Sequence, residues 1–486
     1  MKKLVCLLLG LVLLFCGCAK ERTEQVNADF GGTLSLFAFE DETVNPLKTK
    51  YQTNAQVFAS AMHRGLVKVS QNLKISCDLA ESYEFSQDKK SVTFKLKDTI
   101  FSDGTRVMGS DVINSLDAIK QNKESMYHVV FNFVSDYSAS GTSVTLNLYK
   151  PDSGVLFYMN FPVVKESKGL LLGTGLYEVA QVQSDRVLLR AVNNLSTNFE
   201  TIKVMLYPKE DMAENAFLSN EIDVINADYS NLARLQGKTG VNAKEYISDN
   251  FTFLGLNSKD EFLGNVNIRR AIACLIDKKS LTETLMAGCA QATNSPFKPN
   301  TAYGGLYGGE YANDIEMFRE YLENAEIKPE ELSFKILINE DSITKNKLAQ
   351  YLSQSFRNAG VSAEVEAVDF ETYLQKVNDG DYTMFIGETT VSLNQDFGFL
   401  AETGKNVIGY ESPEMDALFQ SFRIETDADK KQEVAKNIAK KFVDDLPVIS
   451  LYYQKNILLT DGDIEGGFTP MQTNLFGELD LLKTKK

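Results

Sequence analysis

The side chains best suited to bond-making in this 486-residue chain are serines followed closely by lysines. Ser342-Ile343-Thr344-Lys345 and Ser86-Gln87-Asp88-Lys89 both read S-x-x-K, Ser248-Asp249-Asn250 reads S-D-N, and Lys238-Thr239-Gly240 reads K-T-G. In penicillin-recognising enzymes those three motifs build a serine acylation site. Their order here argues against it. The K-T-G segment should follow S-D-N by a long interval, yet it precedes it by ten residues. The chain also lacks a G-x-S-x-G elbow, an H-E-x-x-H pair and a Walker loop. Only His63 and His128 are available for a triad or a zinc site, and each reads as a packed or helix-surface residue. Neither catalysis nor a metal or other cofactor is expected, and an exported hydrolase is the weakest reading of the chain.

Cys18 offers a different chemistry. Lys2 and Lys3 make a basic start, Leu4 to Phe15 is an apolar run too short to span a bilayer comfortably, and Gly17 is the small residue before Cys18. Phe15-Cys16-Gly17-Cys18 resembles the bacterial lipobox, which implies cleavage after residue 17 and a diacylglyceryl group on the Cys18 thiol. Acyl chains would then hold the protein at a membrane. A plain secretory peptide leaves Cys18 unexplained, and a signal anchor suffers from the short apolar run. Residues 1–17 are read as signal and 18–29 as a lipidated polar tether.

Beyond the signal, 48 basic side chains face 66 acidic ones, which favours solubility and argues against a sequence-blind nucleic-acid binder. About 469 mature residues suggest two or three domains, and 30 Phe with 20 Tyr can fill their cores without any Trp. Cys77, Cys274 and Cys289 are too few and too scattered for a disulfide framework, so they read as small buried residues in what is taken to be a monomer.

The elements alternate. In Ser91 to Leu96, Val92, Phe94 and Leu96 share one face, as in a half-buried strand. Ile268, Ala271, Ile272, Leu275 and Ile276 recur at helical spacing with Asn265 or Asn267 as cap, and Val434 to Val443 repeats the pattern. Between them come a strand (Phe334 to Asn339), a helix (Thr344 to Asn358), a strand (Val361 to Val368), a helix (Phe370 to Val377) and a strand (Tyr382 to Thr390). That βαβαβ run implies parallel pairing in an α/β fold.

Several separated blocks resemble the extracellular solute-binding proteins, family 5, the oligopeptide, dipeptide and nickel receptors of ABC importers. They are Val44-Asn45-Pro46-Leu47, Arg64-Gly65-Leu66-Val67, Asp78 to Glu84 with Val92 to Thr105, Gly173-Thr174-Gly175-Leu176-Tyr177, Ile268 to Ile272 with Ile276-Asp277-Lys278, Tyr410 to Asp416, and Leu446-Pro447-Val448-Ile449. The resemblance implies a two-lobed, periplasmic-binding-protein-like architecture (type II, cluster C) with an extra domain inserted in the N-terminal lobe. It places lobe I at 30–50, 163–252 and 453–486, the insertion at 51–162 and lobe II at 253–452. It implies a short peptide or similar small polar ligand enclosed between the lobes, and ABC permease subunits as partners. Lipid anchoring would put the protein on the outer face of the cell membrane, or on the periplasmic side in a two-membrane cell. A surface receptor, sensor or chaperone of the same fold stays open beside import.

Ligands of open parallel sheets collect beyond the carboxyl ends of strands, where Glu388, Thr389 and Thr390 fall. The resemblance points to the same segment, with Ser392, and to Glu40, Asp41 and Asn45 on the N-terminal turn as the opposite wall, flanking a peptide as added strands. One departure stands out. The family's "GWGADYPDP"-like stretch, whose Asp pairs with a peptide α-amine, is replaced by Gly387 to Phe397, with Ser392 at the Asp position. Glu388 and Asp396 are the carboxylates left nearby.

Overall fold

The computed structural model describes residues 32–51, 53–167, 169–192, 197–235, 237–307, 311, 313–471 and 473–484. The export segment, Cys18 and the tether lie outside the described residues. No helix among the described residues is long and apolar enough to cross a membrane.

The chain opens with β1 (Thr33–Phe39) and α1 (Gln56–Met62). A separate antiparallel sheet follows, built from β2 (Ala80–Phe85), β3 (Ser91–Leu96), β4 (Val134–Ser140) and β5 (Ser143–Leu148) in the order β2-β3-β5-β4. In β3 the period-two pattern holds, with Val92, Phe94 and Leu96 buried and Thr93 and Lys95 exposed. The helix between β3 and β4, α2 (Gly109–Gln121), packs on β4 and β5 and buries Val112, Leu116 and Ile119. The chain then returns to β1 through β6 (Tyr177–Val182), β7 (Arg186–Ala191) and β8 (Thr201–Tyr207), with β1 and β8 parallel in the order β1-β8-β7-β6. The glycines before β6 have a steric reason. Gly175 N–H donates to the Met62 carbonyl at the end of α1 (2.8 Å), and a Cβ on Gly175 would lie 2.4 Å from that carbonyl carbon.

The third sheet has seven strands. In chain order its elements are β9 (Val224–Ala227), β10 (Val241–Leu256), α3 (Val266–Cys274), β11 (Ala290–Ala292), β12 (Ser333–Asn339), α4 (Ile343–Asn358), β13 (Ser362–Val368), α5 (Phe370–Asp379), β14 (Met384–Thr390), α6 (Pro413–Ile424), α7 (Ala428–Asp445) and β15 (Val448–Asp461). The order is β9-β15-β10-β14-β12-β13, with β11 on β15. The βαβαβ run is present, and β12 pairs in parallel with both β13 and β14. Its helices start where their caps sit: Asn265 Oδ1 accepts Asn267 N–H (2.9 Å), Ser342 Oγ accepts Lys345 N–H (3.2 Å) and Asp369 Oδ1 accepts Thr372 N–H (3.0 Å). The last strand begins at Met384, later than its β-prone sequence suggests. The Tyr382 carbonyl is taken by the Asn257 amide, and its hydroxyl donates to the Val407 carbonyl, so Tyr382 is held outside the ladder.

The longest strands, β10 and β15, pair antiparallel, but not continuously. Residues 241–247 pair with 455–461, residues 248–250 stand against Gln454 alone, and pairing resumes at Phe251 with Tyr453. That irregularity is a bulge. Beyond it, Phe251, Phe253, Phe297, Phe385 and Phe397 join one aromatic core that also takes in residues of the β2–β5 region. The three cysteines among the described residues are free, with Cys274 and Cys289 buried and Cys77 only half-buried on a short strand beside Val67. Ring packing depends on glycine in β14, since a Cβ on Gly387 would stand 2.3 Å from the Phe253 ring. Gly387→Ala is therefore expected to overpack this core and cost about 1–3 kcal/mol in urea unfolding; an unchanged midpoint would show that the ring moves freely.

Candidate functional site

The segment at the carboxyl end of β14 presents backbone rather than a reactive side chain. Val391 N–H donates to the Asp249 carbonyl at 2.7 Å, so in the antiparallel β10–β14 register the odd-numbered residues of β14 bond to β10. Glu388 and Thr390 therefore turn their main-chain groups to the other edge. There β12 pairs only with Met384 and Phe385, and the Tyr373 hydroxyl takes the Ile386 carbonyl (2.9 Å). Among the described residues no strand covers the edge at Glu388 and Thr390, and both residues are exposed. Thr389 is half-buried, and the Thr390 hydroxyl donates to Asn250 Oδ1 (3.1 Å).

The following turn is tightly held. Ser392 Oγ donates to Asn394 Oδ1 (2.7 Å), which also accepts the Tyr158 hydroxyl (3.3 Å). Gln395, in the left-handed region at φ +53°, donates to the Ser392 carbonyl (3.0 Å) and accepts Lys298 N–H (3.0 Å). Lys298 Nζ in turn donates to Asp249 Oδ1 at 2.6 Å, with both side chains about 5% exposed.

The N-terminal turn is partly structural. Glu40 and Asp41 are exposed, and Glu40 N–H donates to the Tyr207 carbonyl (3.1 Å). Asn45 Oδ1 accepts Leu47 N–H (3.0 Å) and so caps the short 3-10 turn Pro46–Lys48. Glu42 accepts Phe39 N–H and Ala55 N–H, each at 3.0 Å, and its pKa is raised by burial despite those bonds. No hydrogen bond or ion pair among the described residues joins Glu40–Asn45 to Glu388–Ser392. Burial, then the Asp249 charge, pushes the Tyr51 phenol up to about 12, and Tyr158 is raised by burial and then by Tyr51. Tyr246 and Lys298 are walls of a cavity of about 490 Å3, a size typical of small-ligand sites.

Asp249, Lys298, Tyr51 and Asn394 were not singled out as binding residues from sequence. The available signal was the polar triplet Ser248-Asp249-Asn250 within an otherwise apolar strand end. The acylation motifs are spent locally. Ser342 caps α4, Ser86 Oγ donates to Asp88 on an exposed turn (2.7 Å), and Lys238 Nζ lies 4.0 Å over the Phe217 ring. Asp396 is not a spare carboxylate either, since Arg423 grips it at 2.6 and 2.9 Å while also holding Glu402.

No group of three or more His, Cys, Asp or Glu among the described residues is placed to hold a metal ion. His128 Nδ1 lies 3.2 Å from the Ile119 carbonyl. His63 is buried with neither ring nitrogen partnered, and burial lowers its pKa from 6.5 to about 3. The folded ring stays neutral in that interval while the unfolded ring takes a proton. Stability that is complete above pH 6.5 should therefore fall as pH drops from 6.5 towards 3. His63→Leu should remove that component; equal pH slopes of the urea midpoint in the two proteins would refute it.

The model of the bacterial extracellular solute-binding proteins, family 5 Middle, matches residues 74–410. The probable D,D-dipeptide-binding periplasmic protein DdpA of Escherichia coli K12 is 23% identical over 432 residues, covering 82% of this chain and 83% of that protein. Among solved structures, HbpA2 from Haemophilus parasuis superposes with a TM-score of 0.82 at 16% identity over 94% of this chain and 100% of that one. The murein tripeptide binding protein MppA, in an unliganded open form, reaches 0.83 at 17% identity over 93% and 97%. These neighbours share a two-lobed α/β binding-protein fold with this chain. With its family model matched across 74–410 of 486 residues, the chain belongs to the bacterial extracellular solute-binding proteins of family 5, receptors that bind a solute rather than transform it.

Proposed function

We propose that this chain is the lipid-anchored substrate-binding protein of an ABC importer, capturing a short peptide or a similarly polar small solute between two closing lobes and delivering it to the permease. The observation that carries the reading is the uncovered main-chain edge at Glu388 and Thr390. An extended peptide placed there gains backbone hydrogen bonds whatever its side chains, which is how an unselective receptor holds many sequences. Thr389 and Ser392 flank that edge, and Glu40, Asp41 and Asn45 supply the facing wall once the lobes approach. The β10–β15 ladder shifts register again between Thr252 and Phe253, at the boundary read between the lobes, and that break is the natural place for β10 to flex. Ligand contacts with both lobes favour the closed form, and the permease reads that shape. Cys18 carries the acyl chains, leaving a monomer on the outer face of the membrane.

Thr390→Pro deletes an N–H that faces the uncovered edge and leaves the β10 ladder intact, whereas Thr389→Pro deletes a ladder donor. In the folded Thr390→Pro protein, affinity for peptides released from the purified wild type on denaturation should fall about threefold to tenfold. Unchanged affinity would remove peptide addition at this edge. Cys18→Ala should move the protein from the membrane fraction to the soluble exported fraction; retention in the membrane would refute acyl anchoring.

A further inference from the structure

The 3-10 turn Ser153–Tyr158 lies in the segment read as the insertion, yet it is buried along its whole length. It seats on two parts of the segment read as lobe II. At the corner between α6 and α7, the Ser153 hydroxyl lies 2.6 Å from the Glu425 carbonyl and 3.0 Å from the Arg423 carbonyl, and it accepts from Lys431 Nζ at 2.7 Å. An ammonium only donates, so the Ser153 proton is left for the carbonyls. At the turn after β14, the Tyr158 hydroxyl donates to Asn394 Oδ1 (3.3 Å), and Gly154 packs so closely that a Cβ would stand 2.9 Å from Asn394 Nδ2.

Charge makes this an unfavourable way to join two surfaces. Asp152, Ser153 and Lys431 are only 5%, 5% and 6% exposed. Lys431 Nζ rests 4.5 Å over the Phe422 ring and forms no ion pair among the described residues. Burial lowers its ammonium to about 8, against the pull of Asp152, Asp396 and Glu425, and burial raises the Asp152 carboxyl. A methionine at 431 would fill similar space without desolvating a charge. Packing alone therefore has no use for the ammonium, whereas placement of the Ser153 hydroxyl does.

Both seats bear on the segment that flanks the uncovered edge. Asn394 accepts from Ser392 as well as from Tyr158, and Arg423, whose carbonyl faces Ser153, grips Asp396 with its guanidinium. We propose that residues 152–158 position the ligand-bearing segment after β14 from the insertion, with Lys431 as the positioning residue that holds Ser153 to the α6–α7 corner. Lys431 itself meets no ligand. The inference rests on the receptor reading above and adds the buttress on which its binding edge depends, supplied from 236 residues away along the chain.

The test uses the full-length protein and three readouts: the urea midpoint, hydrogen exchange across 391–397 read by mass spectrometry, and retention of the peptides that the purified wild type releases on denaturation. Both charges are removed together in the pair Asp152→Asn with Lys431→Met, which keeps an acceptor for Gly154 N–H. Independently, Gly154→Ala wedges the turn off Asn394 and leaves every hydrogen-bonding group in place. Each variant should speed exchange across 391–397 about threefold to tenfold, the worth of one hydrogen bond to a charged group, and cut peptide retention by a similar factor. In the charge-free pair the urea midpoint should stay level or rise, so that binding and stability move in opposite directions. Unchanged exchange across 391–397 in both variants would overturn the positioning role. So would a lower midpoint in the pair with exchange in β12 rising by the same factor as in 391–397, since the contact would then serve the fold alone. Faster exchange across 391–397 with undiminished retention would keep the buttress and overturn the binding edge at Glu388 and Thr390 instead. A wild type that releases no peptide would overturn the peptide reading, and the exchange readout would still decide the positioning role.

Discussion

A buried carboxylate and ammonium hold the centre of this molecule together. Asp249 and Lys298 meet at 2.6 Å with almost no exposure, an arrangement that is tolerable only because each charge neutralises the other. The remaining contacts of these two residues extend the constraint. The Asp249 carbonyl holds Val391, and the Lys298 backbone holds Gln395, which holds Ser392. One ion pair therefore positions the bulge of β10, the segment after Phe297 and the turn that follows β14. Removing one member costs about 3–5 kcal/mol in comparable buried pairs, so the turn is fixed by a strong constraint rather than by its own conformational preference.

The groups around that pair divide into spent and unspent. Arg423 uses up Asp396 and Glu402, the side-chain oxygen of Asn45 caps a turn, and Asn394 collects the hydroxyls of Ser392 and Tyr158. What is left open is the backbone edge at Glu388 and Thr390, while Asp249 Oδ2 and Asn456 Oδ1 stay buried without a hydrogen-bond partner. Beneath this polar layer the packing is phenylalanine on phenylalanine, with Gly387 and Gly255 making room for the rings of Phe253 and Phe385. That is how a chain without tryptophan fills a large core.

Much of this was legible in the residues alone. Period-two alternation located β3, helical spacing located α4, α5 and α7, and the βαβαβ order foretold the parallel pairing of β12 with β13 and β14. These signals are local, because side-chain direction repeats every two residues in a strand and every three or four in a helix. The order of short blocks from Val44 to Ile449 was enough to suggest the family that the 74–410 match then showed. The limits of local reading were visible too. Tyr382 has the composition of a strand residue, yet distant hydrogen bonds keep it out of β14.

The sequence by itself determined the element types, the α/β class and the family, since propensity, periodicity and motif order need no knowledge of who touches whom. Only the tertiary structure decided which polar side chains remain available. Lys298 is 49 residues from Asp249, and Asn456 is 210 residues from Tyr246. Whether such a group is satisfied depends on partners that chain folding brings from afar. For that reason Asp396 looked like a free carboxylate and is not, whereas Asp249 sat in a motif for the wrong chemistry and is the buried partner of Lys298.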